Sequence, residues 1–135
     1  MKRLLANLLL FFVVILAAPA CKKDAKPPTP AITRNVQYTL YTTKDFSGDN
    51  SMITFELIMK NGSTVIFDSA LAPMKVSQIP DKLHAISVLR SVPAGNENAD
   101  LVVGFLYSIE NVGNSWFLDT YKATDHLKTM EYAFQ

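Results

Sequence analysis

Cysteine is almost absent from this 135-residue chain: Cys21 is the only one, so no disulfide can form within the molecule and the fold must be held by burial. Histidine is nearly as scarce. His84 and His126 are far apart, and neither stands in an H-x-x-x-H or related spacing that would give zinc a local site. A G-x-S-x-G nucleophile elbow and a glycine-rich phosphate loop are also missing, which removes the motif-borne routes to acyl and phosphoryl transfer. There is no internal repeat, heptad or low-complexity tract to suggest a solenoid or a coiled coil. The longest apolar run, Leu4 to Ala18, falls short of the about 20 residues that a permanent transmembrane helix needs. An excess of positive charge is lacking too. From Ile32 onward eight Lys and Arg face eleven Asp and Glu, scattered along the chain, so nucleic acid is not an expected partner.

What is present starts at the N-terminus. Lys2 and Arg3 precede the run Leu4 to Ala18, in which Asn7 is the one polar residue, and Ala18-Pro19-Ala20-Cys21 closes it. A short cationic start, an apolar stretch and small residues make an export signal, not a fold element. Two cleavage readings stand side by side. Ala18-Pro19-Ala20 has the small-x-small form of an ordinary signal-peptidase site, and small residues directly before a cysteine resemble a lipobox. On the second reading the chain resembles a bacterial lipoprotein over roughly its first 24 residues, departing at Ala18, where leucine is usual.

That resemblance implies removal of residues 1–20, a lipid of palmitate type on Cys21, and a membrane anchor at the mature N-terminus. Two or more acyl chains suffice for stable attachment, at about 0.8 kcal/mol per buried methylene. It also implies the outer membrane, facing the periplasm or the surface, because Lys22 stands where an aspartate would cause inner-membrane retention. Residues 21–31 fit a tether: Lys22 to Pro30 holds three lysines, three prolines and no large apolar residue. In polyproline form it would reach up to roughly 28 Å.

Residues 32–135 have the length of one small domain with one core. Period-two alternation of β-branched and aromatic residues, broken by Gly, Pro, Asn and Asp, dominates them. Strands are expected at Asn35 to Thr43, Ser51 to Met59, Thr64 to Asp68, His84 to Val92, Leu101 to Glu110, Ser115 to Thr120 and Leu127 to Phe134, with a short edge piece at Met74 to Ile79. This is an all-β pattern, an antiparallel β-sandwich of about seven strands, immunoglobulin-like or transthyretin-like. In the Asn61-Gly62 hairpin, a three-residue loop with left-handed Gly62 would pair Phe55 with Phe67 and Leu57 with Val65. Leu101 to Ile109 is apolar nearly throughout, as in a strand covered on both faces, and Gly104 within it marks a bulge or close packing.

Three features offer chemistry. Asp45, Ser47, Asp49 and Asn50 supply oxygen ligands for a hard cation such as Ca²⁺, although Gly48 comes too early for the helix-flanked calcium loop and turn formation accounts for the same residues. Tyr107, Trp116, Phe117 and Tyr121 offer an aromatic platform for a glycan or peptide; strand alternation instead sends Trp116 with Leu118 into the core, away from Phe117. Asp68-Ser69-Ala70 resembles a bacterial O-glycosylation signal. No cofactor and no catalytic residue is expected. The function that follows is a non-enzymatic binding or structural module of the envelope, with a carbohydrate- or peptide-binding domain and a calcium-stabilised adhesion domain as alternatives, and a glycan or envelope protein as partner.

Overall fold

The alternation does produce strands, eight of them among the described residues. The structure, a computed structural model, describes residues 32–93 and 99–135; the leader, Cys21 and the tether lie outside the described residues. The strands are β1 (Thr33–Thr42), β2 (Met52–Asn61), β3 (Thr64–Ala70), β4 (Met74–Lys75), β5 (Ile86–Pro93), β6 (Leu101–Ile109), β7 (Gly113–Tyr121) and β8 (Leu127–Phe134), with 3-10 turns at Val76–Gln78 and Lys82–His84. They form a sandwich: a three-stranded sheet β5-β1-β8 against a five-stranded sheet β3-β2-β6-β7, in which β4 also pairs with β2.

Each inner face is one parity of its strands. Val36, Tyr38 and Leu40 of β1 meet Ile53, Phe55, Leu57 and Met59 of β2 and Leu101, Val103 and Phe105 of β6, with Met130 and Phe134 from β8. Aromatic rings thread this core, Phe105 lying edge-on to Tyr38 at 5.5 Å and to Phe55 at 6.4 Å between centroids. The Tyr38 hydroxyl, the one polar atom its ring carries inward, donates to the Ile58 carbonyl at 2.9 Å.

Four features differ from the sequence expectation. First, β1 and β8 pair in parallel, Asn35 beside Leu127 through Thr42 beside Phe134. β7 ends in one sheet and the chain crosses through residues 122–126 to the other, so β8 runs the same way as β1; no hairpin turn dictates that orientation. Second, the β2–β3 turn is Gly62-Ser63, with Asn61 opposite Thr64 and Gly62 at φ 57°. An irregularity at Met59/Lys60 then sets Met59 opposite Phe67 and Leu57 opposite Ser69, so Phe55 does not pair with Phe67. A glycine at the first central position suits a two-residue hairpin, and the bulge restores inward parity to Phe67. Third, only Met74–Lys75 of the edge piece is strand; Val76 and Ile79 are buried from the 3-10 turn that follows.

Fourth, β6 is central, between β2 and β7, and its two faces differ: inward Leu101, Val103 and Phe105 are buried, whereas outward Val102 and Leu106 are only half-buried. Gly104 does mark close packing, since a Cβ there would fall 2.0 Å from the Phe117 carbonyl oxygen.

The chain enters where Thr33 pairs with Pro93. Arg34, 2% exposed, fixes this end: its Nη1 donates to the carbonyls of Lys122 (3.2 Å), Ala123 (2.8 Å) and Asp125 (3.1 Å), and its guanidinium lies 5.3 Å from the Tyr121 ring centre. Loop 43–51, segment 71–85, turn 110–112 and the C-terminus gather at the far end, where the Thr42 hydroxyl donates to the Phe134 carbonyl and the Glu110 amide to that of Met52.

Candidate functional site

The aromatic platform does not assemble as four residues. Register with β6 decides the parity of β7: Phe105 pairs with Phe117 and Leu101 with Tyr121, and since Phe105 and Leu101 face the core, so do their partners. Tyr121 is fully buried at the entry end, its hydroxyl accepting from the Asn35 amide at 3.2 Å. Phe117 stacks on Tyr132 at 4.8 Å, and Tyr132 in turn on Tyr107 at 5.8 Å. Burial, and then its hydrogen bond to Tyr107, raise the Tyr132 hydroxyl above its ordinary pKa. Those three rings lie at the seam between the sheets, with Phe117 still 37% exposed. Trp116 goes the other way: it is 69% exposed, not in the core. A mixed strand such as β7 can take either parity, and the edge position tolerates Asp119 on the inward side, where it pairs with Lys128 across the seam.

Trp116 therefore belongs to the outward face of the five-stranded sheet. Two rows of the strand lattice meet there. Ala70, Glu56, Leu106 and Trp116 lie side by side across β3, β2, β6 and β7, and Thr54, Ser108 and Asn114 form the row nearer the far end. Together they line a groove of about 370 Å³ with Leu106 in its floor and Trp116 as a wall. Thr54, Glu56, Ser108 and Asn114 make no side-chain hydrogen bond among the described residues, leaving hydroxyl, amide and carboxylate groups beside an indole with their capacity unspent. Leu118, 37% exposed, continues the apolar surface over Gly104.

On the outward face of the three-stranded sheet Gln37 donates to Ser87 at 2.6 Å and Ser91 to Asn35 at 2.7 Å, beside exposed Leu89 and Leu127.

The cation loop sits at the far end, and its oxygens are used within the fold. Asp45 accepts from the Ser47 amide and Asp49 from the Ser51 amide, both at 2.9 Å, while Asn50 accepts from Lys75 Nζ at 3.1 Å. The Ser47 amide holds the Asp45 carboxyl below its ordinary pKa. Among the described residues no group of three or more His, Cys, Asp or Glu is placed to hold a metal. The loop borders a larger depression of about 590 Å³, lined among others by Phe46, Asp81, Lys82 and Leu83. Two of its charged groups are partnered: Asp81 accepts from the Leu83 and His84 amides and lies 2.8 Å from His84 Nδ1, and Lys82 binds Glu131 at 3.0 Å. Volume alone does not make that depression the better site. His126 is exposed, on the loop at the entry end, remote from His84. Ser69 of the glycosylation-like triplet pairs with core-facing Leu57 and shares its inward parity.

Sequence reasoning thus found Trp116 but missed Thr54, Glu56, Leu106, Ser108 and Asn114. The signal for them was Leu101 to Ile109: its continuous apolar character marks outward positions that a one-sided sheet would leave polar.

No protein-family model matches the chain, no curated protein matches it, and no solved structure matches it. Sandwiches of this kind carry many unrelated activities, so the function has to be read from the surface chemistry itself.

Proposed function

We propose that this domain is a non-enzymatic binding module, tethered through a lipid on Cys21 to the outer membrane, whose ligand surface is the Trp116 groove. One observation carries the reading: the exposed Trp116 lines one concave groove together with four polar side chains that have no hydrogen-bond partner among the described residues.

The sole tryptophan makes the test direct. In full-length protein, an isolated Gram-negative envelope fraction should shield Trp116 fluorescence from acrylamide, and Ser108→Lys should abolish the shielding without changing the circular dichroism spectrum. Unshielded Trp116 at saturating envelope material refutes the surface. Partition of wild type into membranes and of Cys21→Ser into the soluble fraction tests the anchor separately.

A further inference from the structure

The groove's chemistry narrows the ligand class. We infer that it takes an uncharged sugar ring of a glycan, stacked on Trp116 and hydrogen-bonded by Thr54, Glu56, Ser108 and Asn114; the inference rests on the binding reading above.

Three observations converge on this ligand. A pyranose has an apolar face of C–H groups and a rim of hydroxyls, each of which both donates and accepts. Trp116 supplies a flat apolar wall, and beside it stand two hydroxyls, one amide and one carboxylate, a mixture of donors and acceptors with no side-chain hydrogen bond among the described residues. The charge is one-sided: among the described residues of the lining Glu56 is the only charged side chain and none is Lys or Arg, the Tyr107 phenol being turned inward to Tyr132, so a sulfate, phosphate or uronate would meet a carboxylate and no cation of the lining. Glu56 suits hydroxyls well, since an ionised carboxylate accepts from two at once.

Over the floor of the groove strand addition finds no free main-chain groups, because β6 is paired along its length with β2 on one side and β7 on the other; the open edge of β7 is where a peptide strand could add, and the peptide arms of the test address it. A groove of about 370 Å³ lies near the small end of the ~300–1,000 Å³ typical of ligand sites, room for a short unit and not a folded partner.

The test titrates full-length protein in a sugar-free detergent, reading Trp116 emission, against cellotetraose, the N-acetylglucosamine tetrasaccharide, polygalacturonate, a proline-rich peptide and a lysine-rich peptide. A saturable shift with a neutral oligosaccharide and none with polygalacturonate is expected. Thr54→Val with Asn114→Ala should weaken it about tenfold or more, as should Trp116→Ala measured by calorimetry. Glu56→Gln should admit polygalacturonate. A response to either peptide with none to the neutral sugars overturns the inference and leaves the binding surface standing. Silence toward the neutral sugars while envelope material still shields Trp116 does the same. Silence toward all five, together with unshielded Trp116, overturns both.

Discussion

Replacing Arg34 by methionine keeps an unbranched apolar stem of similar reach and removes only the guanidinium. What is lost is the donor to three carbonyls of the crossover loop, Lys122, Ala123 and Asp125, at 2.8–3.2 Å, and a cation over Tyr121 at 5.3 Å. A hydrogen bond from a charged group is worth about 1.5–3 kcal/mol net, and one nitrogen shared by three acceptors does not count three times. Adding about 1 kcal/mol for the cation over the ring gives a loss of about 3 kcal/mol. For a domain of this size each kcal/mol lowers Tm by about 4–8 °C, so the midpoint should fall by roughly 12–24 °C. The same loop sets the direction of β8, so amide exchange should accelerate first at Lys122 to Leu127 and then along β8. Thermal melts followed by circular dichroism, paired with hydrogen exchange, measure both. A Tm lowered by less than about 4 °C, or exchange rising evenly across both sheets, would refute the idea that this one side chain clamps the crossover.

Other outcomes follow from single contacts. Gly104→Ala drives a Cβ to 2.0 Å from the Phe117 carbonyl and must displace β7; a loss of about 3 kcal/mol in urea unfolding is expected, and a neutral effect would contradict the close approach. Tyr38→Phe removes one buried hydroxyl bond to Ile58 and should cost about 1 kcal/mol by the same measurement. Trp116→Ala should change stability by no more than about 0.5 kcal/mol while it abolishes binding, because an exposed ring adds little to the core. On acidification, Asp45, Asp81, Asp100, Asp119 and Glu131 all have folded pKa values below their ordinary ones. The causes are, in turn, the Ser47 amide, the His84 side chain, the Ala123 amide, and the Lys128 and Lys82 ammonium groups. Depressed carboxylates stabilise above the unfolded value and lose that contribution as pH falls through the folded one. Tm should thus decline below about pH 4 and level off above it; a Tm that rises on acidification from pH 5 to pH 3 would reverse the assignment.

Much of the fold was legible because strand formation is a local matter of period and branching. Leu127 to Phe134 reads directly as a strand and is one, residue for residue. The site was legible only in part. Trp116 stands out as the sole tryptophan, but whether it points in or out depends on which residue of β6 it faces, and pairing with Leu106 rather than an inward neighbour was settled across the sheet. Thr54 and Glu56 carry no signature in sequence, since isolated polar residues on a strand are the ordinary solvated kind until a tryptophan from two strands away is set beside them.

The sequence by itself determined the two-layer β architecture, since strand formation follows from composition and from a repeat spanning a few residues. Tertiary structure alone decided the parallel pairing of the first and last strands, the slipped Gly62-Ser63 hairpin, and the outward turn of Trp116. These depend on contacts between residues distant in the chain, where a one-residue change of register exchanges the two faces of a strand. That exchange converts a core tryptophan into the wall of a groove.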